Sequence, residues 1–211
     1  LSLHDALPIS QTKHIQSILV TSTRTYINNA SIAADLAAMV AQSGKKTLLI
    51  DADLNRPVIH RVFELPNRVG LSDVLLDQRD INGIMHSLIG GNLHVITSGI
   101  MPTVTKDLIG TKEMSNLIKI LKQEYEKIFI HGPAFFYNEA TLLASQVDGV
   151  VLLINPSYAK SEATQAIVER FQKTGATIVG IVMRDQPKYQ SNQSAFINRL
   201  LSYDKHNRIG S

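Results

Sequence analysis

Residues 48–57 read LLIDADLNRP, and this stretch decides how the rest of the chain is to be read. A short, wholly apolar run ends in two carboxylates spaced two apart, Asp51 and Asp53. Residues two apart on an extended strand share a face, so both acids leave the strand end on the same side. Two such carboxylates can hold a hydrated Mg²⁺ or take a proton from a hydroxyl nucleophile. The plainer alternative is a solvated loop with an acidic helix cap. An apolar strand without alternation predicts burial on both faces, as in a parallel sheet covered by helices.

The same pattern recurs outward in both directions. Apolar strand runs fall at 17–22, 93–97, 127–131, 149–155 and 177–183. Helical spacing predicts a helix over 31–42, one through TKEMSNLIKILKQEY with its stripe at Met114, Leu117, Ile118 and Leu121, and one through SEATQAIVERFQKTG. Strands alternating with helices predict an α/β fold, a mostly parallel sheet with helices on both faces. In such sheets ligands sit at the carboxyl ends of the strands, here after residues 22, 51 and 131.

Bulk composition narrows the class. The 211 residues suffice for one well-buried domain, with 44% apolar and 18% charged residues and no internal repeat. There is no cysteine, which excludes disulfides and thiolate metal sites and fits a reducing cytosol. The net charge of +3 comes from scattered residues, so no nucleic-acid footprint is expected. No apolar run is long enough to span a bilayer. The opening LSLHDALPIS lacks the basic flank of a signal peptide and matches nothing downstream. Residues 1–14 are therefore set aside as an unassigned, candidate non-native segment. Residues 15–186 form the α/β domain, and 187–211 a polar tail with one helical stretch near 193–203.

The block LLIDADLNRPVIHRVFELPNRVGLSDVLL resembles the bacterial tyrosine kinase family, the P-loop-type kinases that act with chain-length regulators of capsule and exopolysaccharide synthesis. The family's Asp-x-Asp-x-Arg-x-Pro, its His, its Phe and its Gly-Leu-Ser stand here as Asp51, Asp53, Arg56, Pro57, His60, Phe63, Gly70, Leu71 and Ser72. LHVITSGIMPTVTKDLIGTKEMSNLIKILKQEYEKIFIHGP and ATLLASQVDGVVLLI extend the likeness over about residues 15–190. The resemblance implies a P-loop NTPase-like fold of the MinD/ParA-like branch. It also implies a nucleotide site in which Asp51 and Asp53 are the catalytic acids and Mg²⁺ ligands.

Against that pattern, the loop after the first strand departs sharply. The family's Thr-Ser-x-x-Pro-Gly-Glu-Gly-Lys-Ser-Thr becomes TSTRTYINNAS, with Tyr26 and Asn28 at the glycines, Asn29 at the lysine and Ala30 at the Mg²⁺ hydroxyl. Only Ser31 keeps its hydroxyl. Glycine allows positive φ and close approach to phosphates; Tyr26 would crowd that space, while Asn28 tolerates left-handed geometry. Each lost charge-assisted hydrogen bond forfeits about 1.5–3 kcal/mol, so losing two or three weakens ATP by something on the order of a thousandfold. The Walker B aspartate becomes His131, followed by Gly132, Pro133 and Ala134. Arg184 stands where the family has an adenine-reading Asn. A His131, Asp51 and Asp53 metal set is conceivable, though a lone strand-end histidine is more often structural.

The family's C-terminal tyrosine cluster is reduced to Tyr189 and Tyr203, the candidate phosphosites, and no Glu-x-x-Arg-x-x-Arg helix precedes residue 17. HRVFELP and LSDVLL carry helical spacing that reads as core packing. The resulting expectation is a degenerate kinase-like domain, a regulatory or scaffold component of exopolysaccharide or capsule synthesis and export. Its nucleotide-binding positions, Asn28, Asn29, Ala30, Ser31, Arg56 and Arg184, would hold no cofactor, or ATP and Mg²⁺ only weakly. The implied partner is a chain-length regulator or polysaccharide-export membrane protein, or an active kinase paralogue; a homo-oligomer stays open. The implied location is the cytoplasm, at the inner membrane face through that partner. Two alternatives stand beside it: an active tyrosine autokinase with a non-standard phosphate loop, and, more distantly, a MinD/ParA-type ATPase.

Overall fold

The computed structural model describes residues 15–24, 29–77, 80–100, 108–184 and 197. Seven strands form one sheet in the order β3-β4-β2-β5-β1-β6-β7, comprising β1 (Ser17–Ser22), β2 (Thr47–Asp51), β3 (His86–Leu88), β4 (Leu93–Ile96), β5 (Lys127–His131), β6 (Gly149–Ile154) and β7 (Ile178–Met183). All neighbouring strands run parallel except β3, which pairs antiparallel with β4 at one edge. The fold is thus the mostly parallel α/β sheet the apolar runs imply. β3 is the unforeseen strand, because three residues reading HSL carry no periodicity to detect.

Alternate residues of each central strand feed two separate cores. Leu19, Leu48, Ile50, Ile128, Ile130, Val150 and Leu152 face α4 (Lys112–Leu121), α5 (Asn138–Ala144) and α6 (Glu162–Lys173). Val20, Leu49, Val95, Phe129 and Leu153 face α1 (Asn29–Gln42) and α2 (Ile59–Val62). The predicted stripe of α4 is buried as read, and Thr111 caps the helix by accepting from the Met114 N–H. α1 packs through Ala33, Ala34, Ala37, Ala38 and Ala41, all fully buried. With no side chain beyond Cβ, that face brings the helix close against β1 and β5.

HRVFELP and LSDVLL supply α2 and the start of α3 (Leu71–Asp77), and Val62, Phe63, Leu71 and Leu75 are buried, as core packing requires. Gly70 explains the Gly-Leu-Ser: a Cβ there would stand 2.2 Å from the Thr97 carbonyl oxygen. Only glycine lets this loop hydrogen-bond along the end of β4, where the Leu71 and Ser72 N–H groups donate to the Thr97 and Ser98 carbonyls. No helix among the described residues is long and apolar enough to cross a membrane.

Candidate functional site

The carboxyl ends of β2, β5 and β1 lie side by side, and the parallel register sets Asp51 directly opposite His131. Asp51 is fully buried. Its Oδ2 accepts the Val58 and Ile59 N–H groups, each at 3.0 Å, which pins the start of α2. Its Oδ1 lies 2.8 Å from His131 Nδ1. On the other side of the ring, His131 Nε2 is 3.2 Å from Asn29 Oδ1, and Asn29 Nδ2 donates to the Gly132 carbonyl at 2.8 Å. α1 begins at Asn29, two residues before the start that apolar spacing alone suggests.

These contacts constrain the protons on the ring. The Gly132 carbonyl can only accept, so the Asn29 amide nitrogen faces it and the amide oxygen faces His131. Nε2 must then donate. Asp51, which already accepts two backbone N–H groups, is an acceptor for Nδ1 as well. With Asp51 ionised, hydrogens on both ring nitrogens satisfy every one of these contacts, the arrangement of an imidazolium paired with a carboxylate. Burial alone would depress the pKa of this histidine; the hydrogen bond and charge of Asp51, helped by the charge of Asp53, outweigh it and raise the pKa above its ordinary value.

Asp53 lies beyond the strand, in a turn where its Oδ1 and its carbonyl both accept from the Arg56 N–H, each at 3.1 Å. Burial and the neighbouring Asp51 charge raise its pKa, against the opposing pull of His131 and Arg56. The Arg56 guanidinium turns outward to donate to the Tyr137 hydroxyl at 3.0 Å. Ala30 is buried among the apolar residues of α1. Ser31 is buried too, and its hydroxyl accepts from Arg184 Nη1 at 2.8 Å. Arg184 thus bridges the end of β7 to the first turn of α1. Arg24 stacks on the Tyr158 ring, 3.9 Å from its centroid. Asn28, Tyr26, Tyr189 and Tyr203 lie outside the described residues. Among the described residues no group of three or more His, Asp or Glu side chains is arranged to hold a metal ion.

Sequence reading grouped His131 with Asp51 and Asp53 only as a conceivable metal set, and missed that Asp51, His131 and Asn29 form one chain of hydrogen bonds. The available signal was the pairing of two charge changes, lysine to asparagine in the loop and aspartate to histidine on the strand. Tyr137 and Tyr158, the aromatic partners of the site arginines, were also missed; nothing in their local sequence marks them.

No protein-family model matches the chain. The tyrosine-protein kinase YwqD of Bacillus subtilis is 32% identical over 172 residues, which cover 81% of this chain and 73% of that kinase. This chain belongs to the bacterial tyrosine-protein kinase family. The tyrosine-protein kinases ptk of Acinetobacter johnsonii and etk of Escherichia coli are 27% and 24% identical, and the aligned regions span 23% and 25% of their lengths. In the crystal structure of the chimerical protein CapA2B2, a chain 32% identical to this tyrosine-kinase family member superposes with a TM-score of 0.77, over 85% of this chain and 80% of that one. The Pyrococcus furiosus cell division ATPase MinD, 19% identical, shares the fold with a TM-score of 0.69 over 89% of this chain and 79% of its own.

Proposed function

We propose that this domain is a degenerate member of the tyrosine kinase family, one that has given up efficient phosphoryl transfer for a regulatory or scaffold role. The role would lie in exopolysaccharide or capsule synthesis and export. The partner would be a chain-length regulator or polysaccharide-export membrane protein, or an active kinase paralogue, and would hold this domain in the cytoplasm at the inner membrane face.

The observation that carries this reading is the buried Asp51–His131 pair. A carboxylate that would ligate Mg²⁺ or receive a proton instead has both oxygens engaged, one by two backbone N–H groups and one by an imidazolium. A metal ion at Asp51 would have to displace or neutralise a cation already bound there. Asn29 offers no charge to a phosphate, and Ala30 offers no oxygen to a metal. The residues present do not fit Mg²⁺–ATP, and no catalytic step is assigned to it. Calorimetric titration of the full chain with Mg²⁺–ATP and Mg²⁺–ADP tests this: no binding tighter than millimolar is expected, and a micromolar dissociation constant would overturn it.

One observation favours the autokinase alternative. Asp53 is partly exposed, and its raised pKa brings it nearer to neutrality, as suits a general base. That alternative requires phosphotyrosine to accumulate on the purified protein incubated with Mg²⁺–ATP and to vanish in Asp53→Asn.

A further inference from the structure

We infer that Asp51, His131 and Asn29 form a resident clamp that holds the first turn of α1 to the ends of β2 and β5 with no ligand present. It gives the scaffold reading above a physical basis and relies on that reading only for its biological use.

The argument begins with connectivity. One unbroken run of hydrogen bonds passes from the Val58 and Ile59 N–H groups to Asp51, from Asp51 to His131, from His131 to Asn29, and from Asn29 to the Gly132 carbonyl. It joins the starts of α2 and α1 to the ends of two adjacent strands. Asp51, His131 and Asn29 are 0%, 1% and 8% exposed, so water competes little for these bonds. The side-chain donors and acceptors match: the carboxylate only accepts, the imidazolium only donates, and the amide does one of each.

Charge placement points the same way. In the family pattern a lysine at position 29 and an aspartate at position 131 would leave a cation on the helix and an anion on the strand. Here the cation stands on the strand, and Asp51 cancels it inside the protein. The first turn of α1 contains no acidic residue that could compete for the imidazolium. The titratable groups whose charges act with the pair are Asp53, on the turn after β2 beside Arg56, and His60 in α2 beside Arg61. A helix N-terminus that elsewhere would be organised by a bound anion is held here by side chains of the chain itself.

Hydrogen exchange on the ligand-free full chain tests the clamp. The Val58 and Ile59 amides should be protected without nucleotide, and His131→Ala should speed their exchange about tenfold to a hundredfold, the equivalent of one charge-assisted hydrogen bond. Asn29→Ala should speed it less, and the double variant no more than His131→Ala alone, because both act through one chain. Exchange that is unchanged in His131→Ala, or whose accelerations simply multiply in the double variant, would overturn the clamp. The unsubstituted chain supplies a test that needs no variant: Val58 and Ile59 amides that exchange as fast as exposed ones in the absence of nucleotide would also overturn it. Tight Mg²⁺–ATP binding alongside protected clamp amides would defeat the scaffold reading alone. Fast exchange without nucleotide binding would defeat the clamp alone.

Discussion

Two acid–base pairs stand at opposite ends of the same sheet, and they differ in how much water they see. At the amino ends, Asp148 and Lys122 meet at 2.7 Å with about a quarter of each side chain exposed. Asp148 also accepts from the Gln16 and Ser17 N–H groups and from the Ser17 hydroxyl, stapling β6 to the start of β1. Burial would raise its pKa, but Lys122 and these donors hold it down at about 2. At the carboxyl ends, Asp51 and His131 meet at 2.8 Å with almost no exposure. The first pair ties strands together where solvent can still reach it. The second lies where an α/β sheet ordinarily receives a ligand, and it spends its charges on each other. A buried pair contributes little net stability compared with apolar packing, yet breaking it is costly.

The sharpest way to break this contrast is Asp51→Ala. It leaves a buried imidazolium without its counter-ion and the α2 amides without an acceptor. Urea denaturation should show a loss of about 3–5 kcal/mol, the usual cost of orphaning one member of a buried pair. A loss under about 1 kcal/mol would mean that the pair is solvated like an ordinary surface bridge.

A second test separates the pairs by pH. The pKa of His131 is raised on folding above its ordinary 6.5, so the folded state holds the extra proton more tightly. Its contribution is fully present below about 6.5 and is lost as pH rises through the folded value. The pKa of Asp148 falls on folding from 3.8 to about 2, so its contribution is present above 3.8 and is lost as pH falls toward about 2. Denaturation midpoints measured against pH should decline on both sides of a plateau. His131→Gln should flatten the alkaline side and Asp148→Asn the acid side.

The smallest effect is expected for Arg184→Ala. It removes one charge-assisted hydrogen bond to Ser31, worth at most about 1.5–3 kcal/mol, and leaves the clamp intact. Thermal melts should shift slightly, with no change in Val58 and Ile59 exchange.

Much of this molecule was legible in its residues. Apolar runs such as TLLID and KIFIH read as strands buried on both faces, and the stripe from Met114 to Leu121 as one side of a helix, and the structure shows both. The Asp51-to-Ser72 block carried the family, and the missing glycines and lysine were plain to read in the loop. β3 was not legible because three residues are too short for a period. What Asn29 and His131 had become was not legible either. Each looked like a loss at its own position, and 102 residues separate them in the chain.

The sequence by itself marked the longer strands and helices, because burial on a given period is a local property of side chains. It also fixed the make-up of the loop after β1, TSTRTYINNAS, which holds no glycine and no lysine. Only the tertiary structure decided which of these residues meet. Parallel pairing of β2 with β5 sets a carboxylate opposite an imidazole, and the entry of α1 brings an amide to the ring's far side. Distances between strands and the exclusion of water, neither of which is a property of any one segment, turn three separate residues into one bonded unit.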